Sequence, residues 1–151
     1  MILLTLHVLV GFAAVGLLVV PGGMLVAAAR SRDVRFIRRV FALGAFHGKV
    51  GGPLAVLAGL LGFAVAGAVG VPLGAGWLIA TYVAYVLMLV VGIGYHMRWE
   101  VRVLKLAQAS PDGAPSPELA LAIDDPLGLP MLWVSAVLWI AIIVLMVAKP
   151  F

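Results

Sequence analysis

Four long apolar runs divide the chain, and the charged residues fall almost entirely between them. The runs cover about residues 1–29, 50–71, 77–97 and 127–148. A helix needs about 20 apolar residues to cross the hydrocarbon core of a bilayer, and backbone groups inside lipid must be hydrogen-bonded within the helix. The pattern predicts an all-α, polytopic membrane protein with a single transmembrane domain (residues 1–151), an antiparallel bundle of four transmembrane helices.

The basic residues predict the orientation of these helices. Nine of the ten Lys and Arg residues lie in two segments that we expect to be inner loops, residues 30–49 and 98–126, and Lys149 follows the last run. Short cytoplasmic loops are rich in Lys and Arg. Both termini are therefore expected outside a prokaryotic plasma (inner) membrane. The same positions account for the net charge of +4 without a nucleic-acid partner.

The first inner loop has a helical pattern of its own. Val34, Ile37, Val40 and Phe41 recur at the spacing of one helix face, while the arginines lie largely elsewhere. Two interpretations stay open. The segment is either a short amphipathic helix on the inner membrane surface or a basic loop that orients the protein.

The second run carries a stripe of small residues at a spacing of three or four. Its members are Gly48, Gly52, Ala55, Gly59, Gly62 and Ala66. Helices in lipid associate where small residues let their backbones approach. We expect the Gly48–Ala66 stripe to be the central packing face of the bundle. The alternative is that a second copy packs on it and forms a homo-oligomer.

Three histidines are candidate functional residues, because ionisable side chains are costly inside a bilayer. His47 opens the second run and His96 closes the third, so both belong to the inner side. His7 lies near the outer side, about 25–30 Å away. Two imidazoles at equal depth can hold a haem iron from both faces, and thioether is the usual alternative ligand. We therefore predict a haem iron bound by His96, with His47 or Met24 opposite it; Met97 lies near the same level.

Other interpretations remain open at this point. Each histidine, taken alone, is typical of an interfacial side chain that touches lipid headgroups. Imidazole and thioether also suit copper, so the chain is alternatively a copper-handling membrane protein, although its six methionines form no close repeat. A further alternative is a non-catalytic accessory or scaffold protein. The absence of cysteine excludes disulfides, thiolate chemistry and iron–sulfur clusters.

Short motifs at the ends of the runs resemble a known group of proteins. They are Leu6-His7-Val8-Leu9, Pro21, Tyr95-His96, Arg102-Val103-Leu104-Lys105 and Lys149-Pro150-Phe151. Together with the span order they resemble the HemJ-type protoporphyrinogen oxidases, and in part a related uncharacterised family of small predicted integral membrane proteins. The tryptophan and arginine that HemJ-type proteins carry in and after the first span are absent here, where the chain has Val15-Gly16-Leu17 and Gly22-Gly23-Met24.

The resemblance implies a function as well as a fold. It implies that the chain binds haem b and is a membrane oxidoreductase that oxidises protoporphyrinogen IX to protoporphyrin IX. His7, His96 and Lys149 would be the matching functional positions. His7 and Lys149 are then the candidate catalytic residues, placed near the outer face to hold a propionate or another anionic group of the substrate.

Overall fold

The computed structural model describes residues 1–150. Its helices are α1 (Ile2–Val19), α2 (Gly22–Ser31), α3 (Val34–Ala68), α4 (Gly76–Leu89), a π-helix (Val90–His96), α5 (Met97–Ala109), α6 (Pro117–Ile123) and α7 (Gly128–Ala148). Within this range no strand is present, and four helical stretches are long and apolar enough to cross a membrane: Ile2–Ser31, Val34–Ala68, Gly76–Ala109 and Pro117–Ala148. The predicted all-α fold with four potential membrane spans is confirmed.

Neighbours in the bundle are only partly neighbours along the chain. α1 packs along α3, α4 packs against α7, and the inner part of α3 contacts α5. Pro21 lies between α1 and α2, where its missing N–H interrupts the helical hydrogen bonds. Gly70 has a φ of +71°, a left-handed conformation that suits glycine in the tight turn from α3 to α4.

The first segment expected to be an inner loop, residues 30–49, is mostly helical, which agrees with the helix rather than the basic loop, but this helix is not short and continues into the second span. The carboxylate of Asp33 accepts hydrogen bonds from the backbone N–H groups of Arg35 (2.9 Å) and Phe36 (3.2 Å) and so caps α3. α3 then runs without interruption through Pro53 to Ala68, over 35 residues. At 1.5 Å per residue it is about 50 Å long, so its first turns extend well beyond a bilayer core of about 30 Å.

Protein rather than lipid covers the apolar face of this extension. Ile37 and Phe41 are fully buried in a cluster with Val103 of α5 and Leu119 of α6. The periodicity of the sequence indicated an apolar face but not its partner. The partner is the second expected inner loop, residues 98–126. This segment is also largely helical and forms most of α5 and all of α6.

Ion pairs connect the two segments that were expected to be inner loops, residues 30–49 and 98–126. Arg38 and Arg35 both pair with the carboxylate of Asp112, and Arg32 pairs with Asp124. The hydrogen bond from Arg38 is the main reason why the pKa of Asp112 lies below its ordinary value. The linker between α5 and α6 is thus held against α3 from several points.

The Gly48–Ala66 stripe packs inside the chain. A Cβ placed on Gly59 would lie 2.3 Å from Cζ of Tyr85, and one on Gly62 would lie 2.9 Å from Cε1 of His7. Side chains of α4 and α1 therefore occupy the space that these glycines leave open. This supports the expected packing face and leaves little of the stripe free for a second copy; a homo-oligomer formed through it stays a prediction.

Candidate functional site

The end of the bundle at which α5 begins contains a buried pair of ionisable side chains, His96 and Glu100. Their side chains are 11 % and 7 % exposed, and Nε2 of His96 lies 3.1 Å from Oε1 of Glu100. When the carboxylate is ionised it only accepts, so Nε2 carries the proton and donates to it. Nδ1 of His96 is buried and has no hydrogen-bond partner within residues 1–150. His96 thus keeps one ring nitrogen free.

A local change of helix type places this pair. The N–H of Met97 bonds to the carbonyl of Gly92, five residues back, as in a π-helix. π-helices are rare and occur frequently at functional sites. The ring of Trp99 stacks on His96 with 5.7 Å between centroids, and its Nε1 donates to the carbonyl of Ala122 at 2.8 Å. The imidazole is therefore held by the carboxylate and by the indole.

A cavity of about 50 Å³ adjoins His96. Its wall on α3 consists partly of glycines, Gly44, Gly48 and Gly52, which leave room because they carry no side chain. The remaining polar part of the lining includes Glu100 and Ser135. The volume suits a few water molecules or an ion.

Two thioether groups line the same cavity. Met88 is 3 % exposed. Sδ of Met97 lies 3.7 Å from the position of a Cβ on Gly52, which places this thioether against the glycine wall. No three His, Asp or Glu side chains converge anywhere in residues 1–150, so any metal site here would depend on these methionines. Sequence reasoning missed Glu100 and Met88, although Glu100 follows His96 by four residues, the spacing of neighbours on a helix face.

The two side chains expected opposite His96 do not line this cavity. His47 is half-buried and Met24 is 48 % exposed. Neighbouring residues on an α-helix point about 100° apart, so when Gly48 faces the cavity His47 is turned aside. The pairing was predicted from equal depth in the membrane. Depth does not determine the direction in which a side chain points around its helix axis.

The predicted haem does not fit the cavity as it is packed. Pockets for cofactors and drug-sized ligands have volumes of roughly 300–1,000 Å³, against about 50 Å³ here. No second axial ligand faces His96 from His47 or Met24. Met88 and Met97 are the other potential haem ligands that line the cavity, but its volume is too small for the macrocycle, and haem b remains a prediction for spectroscopy.

The two candidate catalytic residues lie elsewhere. Nδ1 of His7 is 2.9 Å from the carbonyl oxygen of Ala58, and since a carbonyl only accepts, Nδ1 must donate. His7 thereby joins α1 to α3. Nζ of Lys149 lies 5.5 Å from the ring centroid of Trp77, a cation–π contact between the C-terminus and α4. Phe151, the last residue of the terminal motif, lies outside the described residues.

Residues 1–150 match the family described as "Predicted integral membrane protein (DUF2269)". No curated protein matches the chain. No solved structure matches it either.

Proposed function

The chain belongs to the DUF2269 family of predicted integral membrane proteins, and from this premise we propose that it binds monovalent copper, Cu(I), at His96. One observation carries the proposal: a buried histidine with a free Nδ1 shares an ion-sized cavity with two thioethers. The same observation gives the copper alternative of the sequence analysis a physical basis. The methionines form no repeat along the chain, yet two of them line the cavity beside His96.

The donor set selects for a soft ion. Thioether sulfur binds Cu(I), and imidazole suits copper as well. Zinc sites are instead built from Cys, His and carboxylates, commonly four together. The chain has no cysteine, and Glu100 is engaged by Nε2 of His96. A histidine that binds a metal through one nitrogen usually donates its other N–H to a carboxylate, the arrangement seen between His96 and Glu100.

Charge balance supports the same ion. A buried charge in a membrane is costly unless an opposite charge lies close to it. Cu(I) bound by His96, Met88 and Met97 would carry one positive charge, because all three donors are neutral. The carboxylate of Glu100, hydrogen-bonded to His96 at 3.1 Å, supplies the compensating negative charge. A divalent ion at the same place would leave one charge uncompensated.

Competition with a coloured Cu(I) chelator tests the proposal on the full chain in mild detergent. We expect one Cu(I) per chain. Glu100→Gln should weaken binding about 10–100-fold, as losses of carboxylates behind metal-bound histidines do, and His96→Ala should weaken it more. Met97→Leu roughly keeps the volume of the side chain but removes the sulfur, so it should also weaken binding.

Matched variants outside the cavity serve as controls. Met24→Leu makes the same chemical change on an exposed side chain, and His47→Ala removes a histidine that does not line the cavity. Both should bind Cu(I) as the wild type does. The proposal would be refuted if the wild type bound no Cu(I), or if His96→Ala bound Cu(I) as tightly as the wild type does.

Haem-linked oxidoreduction is the second candidate. It is supported by the motif resemblance and by a buried His96 beside glycine walls that leave space for a flat group. It requires the cavity to widen several-fold. Visible spectra of protein expressed with added haem should show reduced bands that disappear in His96→Ala. Protein that binds neither haem nor Cu(I) would favour the accessory or scaffold function.

We also propose the orientation of the chain in the membrane. The basic residues support a prokaryotic plasma membrane with both termini outside and with α5, α6 and the start of α3 on the cytoplasmic side. The His96 cavity then lies in the cytoplasmic half of the bilayer.

A further inference from the structure

A second concave site lies at the inner end of the bundle, between α5 and α6. It is a groove of about 570 Å³ whose lining includes Arg98, Arg102 and Lys105. These residues follow one another at spacings of four and three, so they share one face of α5. All three are exposed. This set, the α5 groove, is separate from the His96 cavity.

The cations of the α5 groove differ from three arginines of the first basic segment. Arg32, Arg35 and Arg38 pair with acidic side chains of the chain itself. Arg98, Arg102 and Lys105 form no ion pair with any residue from 1 to 150. Glu118 also lines the groove, which leaves two positive charges in excess. The membrane topology accounts for basic residues on the proposed cytoplasmic side, but it does not require them to line one groove.

The floor of the groove is fixed, and its rim is apolar. α6 is joined to α5 by the hydrogen bond from Trp99 to Ala122 and by buried packing in the inner cluster. Leu121 (73 % exposed) and Val101 (40 % exposed) lie beside the cations. Apolar side chains next to cations at the end of a membrane span match the boundary between lipid headgroups and acyl chains.

We propose that the α5 groove binds an anionic phospholipid of the inner leaflet, and that a lipid with two phosphates binds more tightly than one with a single phosphate. Basic pockets at the cytoplasmic ends of membrane helices bind such headgroups. The two excess charges match two phosphates. The exposed Leu121 and Val101 favour a lipid over a soluble phosphate compound, because they would contact the acyl chains.

Native mass spectrometry of the full chain, titrated in mild uncharged detergent, measures the bound lipid. We expect cardiolipin to bind more tightly than phosphatidylglycerol, and phosphatidylcholine to bind weakly. The triple variant Arg98→Gln, Arg102→Gln, Lys105→Gln should bind cardiolipin roughly 100-fold more weakly, because each basic residue near an anionic surface contributes about a factor of five.

A second triple variant provides the control. Arg30→Gln, Arg39→Gln, Lys49→Gln removes the same charge from exposed inner positions outside the groove, and should bind cardiolipin as the wild type does. If both triple variants lost cardiolipin affinity equally, the binding would depend on the overall positive charge and not on the α5 groove, which would overturn the proposal. Inorganic pyrophosphate that competes fully with cardiolipin would overturn the lipid as occupant. Equal binding of phosphatidylcholine would exclude recognition of the anionic headgroup.

Discussion

Replacing Gly59 by alanine tests the contact between α3 and α4. Gly59 faces the ring of Tyr85, whose hydroxyl donates to the carbonyl of Ala55 at 3.1 Å. A Cβ at Gly59 would lie 2.3 Å from Cζ and 2.4 Å from Oη of that ring. The ring is rigid and hydrogen-bonded at its far end, so it must swing away by about 1 Å to restore ordinary van der Waals contact.

The cost follows from these distances. Overpacking of a well-packed core costs about 1–3 kcal/mol, and an interhelical hydrogen bond in a membrane contributes about 0.6 kcal/mol. Alanine regains up to about 1 kcal/mol through its higher helix propensity. We expect Gly59→Ala to lower the free energy of unfolding by about 2 kcal/mol, which is roughly a 30-fold change in the equilibrium constant.

Unfolding by sodium dodecyl sulfate in mixed micelles, followed by fluorescence of the four tryptophans, measures this change. Gly67→Ala is the control, because a Cβ there meets nothing within 4 Å among the described residues. It should be neutral or stabilising. In a Tyr85→Ala background the cost of Gly59→Ala should vanish, since the clashing ring is gone. Equal stability of Gly59→Ala and Gly67→Ala would refute the reasoning.

Two further predictions concern the inner face. Asp112→Asn should speed cleavage of the 110–116 linker by a neutral protease, while Glu118→Gln, which breaks no ion pair within the described chain, should not. Because the hydrogen bond from Arg38 lowers the Asp112 pKa, the ion pairs are intact above the ordinary value of 3.8 and are lost as pH falls through the lowered pKa. With an acid protease such as pepsin, the difference in cleavage rate between the wild type and Asp112→Asn should therefore disappear only in that acidic range. For the orientation, single cysteines in the Gly70–Gly76 turn and in the Ser110–Pro117 linker should react with an impermeant reagent from opposite faces of the membrane, and labelling of both from one face would contradict the four-span topology.

The membrane spans could be predicted because hydropathy records them directly. An uncharged run of 20 residues has few alternatives to a buried helix, and each of the four runs falls largely within one of the long helical stretches, with only residue 1 and residues 69–71 outside them. For the segment at residues 34–44, hydropathy did not predict what the apolar face contacts. Its apolar face was visible in the sequence, but the same pattern suits a lipid surface or a protein partner. Only the fold reveals that Val103 and Leu119 cover Ile37 and Phe41.

The candidate site was predicted in part, for a similar reason. Sequence position gives the depth of His96 in the membrane but not the direction in which its ring points. His47 lies at the predicted level yet does not line the cavity, whereas Met88 does, two turns before His96. Glu100 was counted with the inner loop, because the sequence did not show that helix α5 continues directly from the third span.

The π-helix makes the site sensitive to the length of the chain as well as to its composition. The bond from Met97 to Gly92 accommodates one more residue than an α-helical turn would. Deleting a single residue between Val90 and Tyr95 would let the segment become α-helical with the phase of the following residues kept, because the wide turn absorbs one extra residue. A change to α-helix at full length would instead turn everything after it by about 100° relative to the first half of the span. His96 and Glu100 would leave the cavity together, and the cations of the α5 groove would rotate with them. The wide turn thus keeps both sites in phase with the bundle despite one extra residue, so a further inserted residue should disturb the proposed copper and lipid binding jointly, whereas point substitutions at one site should affect only the binding at that site.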